Sequence, residues 1–80
     1  MTWKELCEKA KEIGYDKHFC NMSECEYVEI GGTSGEEIRF YEDGDITLYF
    51  KDISFYWNRI LRNNRTPDQM WQIMQALEEC

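Results

Sequence analysis

Alternating apolar and polar positions predict three β-strands in the middle of the chain. Residues 26–30 alternate until the glycine-rich run 31–35, which predicts a flexible turn. The same period of two recurs over residues 37–41 and 45–51. We therefore expect an antiparallel meander whose apolar side is formed by Val28, Ile30, Ile38, Phe40, Ile46, Leu48 and Phe50.

The loop between the second and third predicted strands fixes their register. A two-residue turn at residues 43–44 would mix apolar and polar side chains on each side of the sheet. A three-residue loop, 42–44, with Gly44 in the left-handed conformation of a G1 bulge, instead makes one side wholly apolar. We therefore predict the bulged hairpin, in which Phe40 faces Ile46 and Ile38 faces Leu48.

Apolar residues at helical spacing predict a helix near each end of the chain. The first covers residues 3–13 and begins with a capping box formed by Thr2 and Glu5. The last begins at Thr66 and Pro67, an N-cap followed by a proline in the first turn. Their apolar positions are Trp3, Leu6, Cys7, Ala10 and Ile13 in the first helix, and Met70, Trp71, Ile73, Met74 and Leu77 in the last.

A further helix is expected between residue 51 and Asn63, because the period changes there from two to 3.6. Either Asp52 or Ser54 would cap it. Residues 15–23 show neither period and are predicted to form a loop, with a short extended piece near residues 18–20. The apolar stripe of this middle helix would consist of Ile53, Tyr56, Trp57, Ile60 and Leu61.

The order of these elements predicts an α+β fold: a helix, a three-stranded antiparallel meander, then two helices packed on one sheet face. Eighty residues suit a single domain spanning 1–80. No apolar run reaches the roughly 18 residues that a membrane span needs, and no signal-peptide core follows the N-terminus. A cytoplasmic location with reduced cysteines is therefore expected; an exported chain could form two disulfides in any of three pairings.

Charge is concentrated in one segment of the chain. Residues 24–45 hold eight acids and one base, Arg39, while the other 58 residues hold eight of each, so the segment carries the whole net charge of −7. If the meander displays this charge on one face, that face would repel nucleic acid and attract a basic surface. Direct nucleic-acid binding is therefore not expected, and the lack of a membrane-spanning run means that a membrane partner is not expected either.

The side of the meander away from the helices is the predicted recognition surface, because tyrosine brings area and a hydroxyl at low entropic cost. We expect a small, non-enzymatic binding protein that docks this surface on a basic partner, including by mimicry of a nucleic acid. In size and charge the chain resembles the small acidic inhibitor proteins of phages and mobile elements. The predicted partner-binding residues are Tyr27, Glu29, Glu36, Glu37, Tyr41, Glu42, Asp43, Asp45 and Tyr49.

Two other functions remain open from the sequence. Cys7, His18, Cys20 and Cys25 are ligand types that a structural zinc prefers, although their spacing is unusual for a zinc module. Alternatively, the acidic segment of one copy could meet the basic residues Arg59, Arg62 and Arg65 of another. The chain has one histidine and no nucleophile or phosphate-binding motif, so neither catalysis nor a cofactor is expected.

Overall fold

The computed structural model describes residues 1–31, 36–52 and 55–79, with the backbone alone for residues 50–52 and 55–59. It has an α+β fold, as the sequence predicts, with two helices and a five-stranded antiparallel sheet. Neither helix is long and apolar enough to cross a membrane within this part of the chain. The elements are α1 (Trp3–Glu12), β1 (Asp16–Cys20), β2 (Cys25–Gly31), β3 (Glu36–Tyr41), β4 (Ile46–Asp52), β5 (Phe55–Leu61) and α2 (Pro67–Glu78).

The sheet has two more strands than the sequence predicts. Its strands lie in chain order, β1-β2-β3-β4-β5, and each pairs antiparallel with the next. β1 replaces most of the predicted loop 15–23, of which only residues 18–20 were expected to be extended. Within the predicted turn 31–35, residues 32–35 lie outside the described residues.

β5 replaces the predicted middle helix, so the expectation of two C-terminal helices is wrong. Ile60 is 48% exposed, whereas its neighbour Leu61 packs against the core, as expected for a strand and not for a helical stripe containing both. β5 pairs with β4 along its whole length, from Ile46 opposite Leu61 to Asp52 opposite Phe55. This pairing satisfies the backbone hydrogen-bonding groups on an edge of β4 that would otherwise be open. The expected helix residues Ile53 and Ser54 lie outside the described residues.

The register of the β3–β4 hairpin is the predicted one. Phe40 faces Ile46 and Ile38 faces Leu48, and Gly44 has a φ of +94°. The Tyr41 amide donates to the Asp45 carbonyl at 2.8 Å, which closes the loop 42–44. The apolar side chains of β2, β3 and β4 therefore share one face.

Both helices cover that apolar face. Each begins with a complete capping box, in which the Thr2 and Thr66 hydroxyls accept from the amides of Glu5 and Gln69 at 3.2 Å. Predicted core positions on the sheet pack there, except that the side chain of Phe50 is outside the described residues. The fully buried centre consists of Leu6, Ala10, Tyr15, Val28, Phe40, Ile46, Met70 and Met74.

The chain after β5 is tied to the β3–β4 turn. The Arg65 guanidinium donates from Nη1 to the carbonyl oxygens of Gly44 and Leu61, both at 3.1 Å. Gly44 is buried beneath this segment. Arg65 therefore fixes the path from the sheet to α2.

Candidate partner-binding surface

The sheet face opposite the helices, here called the open face, has no described element packed on it. Because side chains alternate along a strand, every second pair of opposed residues places both of its side chains on this face. It contains most of the predicted recognition residues. Its described members are Asp16, His18, Cys20, Cys25, Tyr27, Glu29, Glu37, Arg39, Tyr41, Thr47, Tyr49 and Ile60.

Arg39 lies at the centre of the open face between two tyrosine rings. Its guanidinium carbon is 4.8 Å from the ring centroid of Tyr27 and 4.5 Å from that of Tyr49. Its Nη1 also donates to the Tyr49 hydroxyl at 3.5 Å. Cation–π contacts of this kind hold a planar guanidinium in one orientation.

Two carboxylates complete what we call the arginine cluster: Arg39, Tyr27, Tyr49, Glu29 and Glu37. Arg39 Nε and Nη2 lie 3.2 and 3.1 Å from Glu37 Oε2, and Nε lies 3.1 Å from Glu29 Oε2. The Nε hydrogen points at Glu37, so Glu29 Oε2 has an ionic neighbour but no hydrogen bond and is buried. Two of the eight acids are thus paired with the one arginine of the segment and are engaged within the sheet.

Glu29 also interacts with His18, and the pKa of its carboxyl is raised. Its Oε1 is 2.9 Å from His18 Nε2 of the neighbouring strand. Desolvation is the largest cause that raises the pKa of Glu29 above its ordinary value. The hydrogen bond that a protonated carboxyl could share with Glu37, and the charge of Glu37, act in the same direction against the favourable charge of Arg39. The ionised form of Glu29 is therefore less favourable in the folded chain than in the unfolded one.

This raised pKa predicts a pH dependence of stability. A carboxyl that binds its proton more tightly when folded adds stability below its unfolded pKa, and that contribution is lost as pH rises through its folded pKa. We expect Glu29→Gln to remove this component, so that wild type gains stability relative to the variant as pH falls from about 7 towards about 4.5. Urea unfolding across that range measures it, with Glu36→Gln as the exposed control; parallel pH profiles would contradict the assignment.

The tyrosines of the open face differ in accessibility. Tyr41 is 7% exposed and lies against Tyr27, with ring centroids 5.0 Å apart, while Tyr27 also stacks on His18 at 5.5 Å. Tyr41 therefore stabilises the sheet and is not available as a partner anchor, which corrects its predicted role. Tyr27 and Tyr49 are half-buried, so each residue is more accessible than Tyr41.

The remaining acids do not share one face, which corrects the expectation of a single acidic surface. Glu26 points to the helix side, where its carboxylate accepts from Trp3 Nε1 at 3.2 Å and pairs with Lys17 at 3.4 Å. Glu36 is exposed at the opposite end of β3, where it faces Phe50 in the register. Thus acids that are close together in the sequence lie on different faces and at different ends of the folded sheet.

Four acids meet at one end of the sheet, here called the acidic turn end: Glu24, Glu42, Asp43 and Asp45. The antiparallel register brings the turn 21–24 and the turn 42–45 to this end. The Glu42 carboxylate accepts from the Glu26 amide at 3.4 Å, and Asp43 Oδ1 accepts from the Asp45 amide at 3.0 Å. No ion pair among the described residues involves these four carboxylates.

The proposed zinc ligands are not brought together. Cys7 packs against the core on the helix side, and this burial is the main reason that its pKa is raised to about 11. His18 instead interacts with Glu29 on the open face. Within residues 1–31, 36–52 and 55–79, no three His, Cys, Asp or Glu side chains could hold a metal ion. Cys20 and Cys25 alone face each other, as partners in the β1–β2 ladder.

Of the basic residues predicted to mediate self-association, Arg65 already forms hydrogen bonds within its own chain. Arg65 bonds to two carbonyl oxygens of its own chain, while Arg62 is exposed. The side chain of Arg59 lies outside the described residues. A second acidic turn end would therefore meet fewer available cations than the sequence suggests.

The sequence analysis did not assign five of the described members to the open face: Asp16, His18, Cys20, Cys25 and Ile60. Most of β1 was predicted as a loop, the start of β2 was not included in the predicted strand, and β5 was predicted as a helix. The alternation of His18 and Cys20 with Lys17 and Phe19 is the signal that could have placed His18 beside Tyr27. Comparison of the chain with protein-family models, curated proteins and solved structures gives no match.

Proposed function

We propose that this chain is a small, non-enzymatic binding protein that recognises a basic protein surface through the acidic turn end and the adjoining part of the open face. One observation carries the proposal: two turns lie at the same end of the sheet and together bring four carboxylates there. None of these four carboxylates forms an ion pair among the described residues. Next to them the arginine cluster presents aromatic surface in a fixed geometry.

The acidic turn end would act mainly on the rate of association. Exposed carboxylates on Glu24, Glu42 and Asp43 produce a negative potential that steers a cationic partner during encounter. The hydrogen bonds made by Glu42 and Asp43 hold these groups to the backbone, so they need little further ordering on binding. Such rim charges change association rates and salt dependence more than they change dissociation.

The arginine cluster would supply the anchor beside this rim. Tyr27 and Tyr49 are already fixed by Arg39, which lowers the entropy that a partner contact would cost. Because Arg39 is already paired with Glu29 and Glu37, this part of the surface favours apolar and hydrogen-bonding contacts over a further ion pair to Arg39. A partner with cations surrounding an apolar patch fits this arrangement.

A matched pair of charge variants tests the proposal. Glu24→Gln, Glu42→Gln and Asp43→Asn together remove three charges while keeping side chains that can accept the same hydrogen bonds. Glu8→Gln, Glu12→Gln and Glu79→Gln remove three charges from exposed positions elsewhere. Partners captured from an extract of the native cell by the wild type are then measured for association and dissociation rates at low and moderate ionic strength.

We expect the turn variant to lower the association rate about tenfold or more at low salt, with the difference shrinking as salt screens the charges. The control variant should stay close to wild type. Equal effects of the two variants would show that only net charge matters and would remove the proposal. If DNA competes with the chain for the captured partner, nucleic-acid mimicry is the specific form of recognition.

A further inference from the structure

Two cysteines face each other across the β1–β2 hairpin. Cys20 ends β1, Cys25 begins β2, and the register pairs them directly on either side of the turn 21–24. Directly paired residues on adjacent strands point to the same sheet face, here the open face. Both thiols are free and both side chains are partly exposed.

Their backbone separation suits a covalent bond between the sulfurs. Directly opposed residues of an antiparallel pair have Cα atoms about 4.5 to 5.5 Å apart. Disulfides span Cα separations of about 4.4 to 6.8 Å, so the register of β1 and β2 already holds the pair within that window. No rearrangement of the strands is needed to bring the two sulfurs within bonding range.

We propose that Cys20 and Cys25 form a redox-active dithiol site that is oxidised reversibly by small-molecule disulfides. The thiolate of Cys20 attacks one sulfur of a small disulfide, forming a mixed disulfide and releasing one small thiolate. Cys25 loses its proton to solvent and attacks the Cys20 sulfur, which forms the protein disulfide and releases the second thiolate. The chain loses two electrons, and the small disulfide is reduced to two thiols.

The hairpin gives the two sulfurs different roles. The Cys20 thiol donates to Ser23 Oγ at 3.6 Å, and the hydrogen bonds that Cys20 makes with the side chain and backbone of Ser23 lower its pKa. Desolvation, followed by the charge of Asp43, raises the pKa of Cys25. Cys20 is therefore the attacking group, and Cys25 is the group that resolves the mixed disulfide.

His18 lies on the same face two residues from Cys20, but its ring is held by Glu29 and Tyr27. It therefore does not serve as the base for Cys20. Cys7 lies on the other side of the sheet, among the core residues of the helix layer. The redox pair is thus defined by Cys20 and Cys25, with Ser23 as the residue that positions the reactive thiolate.

The full chain treated with oxidised glutathione tests the site. We expect loss of two free thiols, a mass decrease of about 2 Da, and full reversal by a reductant. Cleavage after Met22 separates Cys20 from Cys25 in sequence, so the two fragments should stay joined until reduction. Peptide mapping should locate the bond between residues 20 and 25, and the Cys7→Ser chain should form it equally well.

Single variants test the roles of the two sulfurs. Cys25→Ser should accumulate a glutathione adduct on Cys20 about fivefold faster than Cys20→Ser accumulates one on Cys25. Ser23→Ala should slow the adduct on Cys20 about twofold or more without unfolding the chain, as circular dichroism would verify. Retention of both thiols in the folded wild-type chain, or a bond to Cys7 or Cys80 instead, would overturn the proposal.

Discussion

Gly44→Ala is expected to lower the free energy of unfolding by about 3 kcal/mol or more. The residue has a φ of +94°, which an L side chain rarely adopts. A Cβ there would lie 2.3 Å from the Arg65 amide nitrogen and 2.7 Å from the Arg65 carbonyl oxygen. Because both atoms belong to the backbone, the clash would displace the segment that Arg65 ties to the turn.

Gly14→Ala is the matched control for this effect. Gly14 also has a positive φ, +100°, but the atom nearest to its added Cβ is Ile30 Cδ1 at 3.6 Å, an ordinary contact. We expect a loss of about 1 kcal/mol from backbone strain alone. Urea unfolding of both variants separates strain from steric overlap, and equal losses would show that the close approach of the 64–65 segment does not matter.

The hairpin around Gly44 could be predicted from sequence because three local constraints agree. The period of two assigns faces, the glycine permits a left-handed turn position, and only the three-residue loop makes one face apolar. The observed pairing of Phe40 with Ile46 satisfies all three. The capping boxes at Thr2 and Thr66 were predictable for the same reason, since their signals lie within a few residues.

The error in residues 53–61 arises from a non-local requirement. Their apolar spacing fits a helix, but Phe55, Tyr56 and Trp57 are residue types that also favour strands. Pairing along the whole of β4 decides the outcome, because it satisfies a row of backbone groups that a helix would leave exposed. Local periodicity contains no information about that unpaired edge.

The candidate surface was predicted only in outline. Alternation correctly assigned Tyr27, Glu29, Glu37, Arg39 and Tyr49 to one side of the meander. It could not reveal that Arg39 forms ion pairs with two of the acids, because that depends on the pairing of three strands and on side-chain rotamers. Summed charge along a segment therefore overestimates the charge that its folded surface displays.

Arg39→Met tests the central role of this neutralisation. We expect the variant to lose about 2 to 4 kcal/mol of unfolding free energy at neutral pH, because two carboxylates would remain close together without their cation. The Arg39 side chain is 25% exposed and those of Glu29 and Glu37 are 20% exposed, so solvent can screen the repulsion only in part. Urea unfolding followed by tryptophan fluorescence measures the loss.

Removing the carboxylate charges should rescue this variant. In the Arg39→Met background, Glu29→Gln and Glu37→Gln together are expected to restore about half or more of the lost stability, because no uncompensated charge remains. Lowering the pH should act in the same direction, since a carboxyl deprived of its cation binds its proton more tightly when folded and gains stability as pH falls. A large loss in Arg39→Met that neither the glutamines nor acid reduces would assign the contribution of Arg39 to its packing between Tyr27 and Tyr49 instead of to its charge.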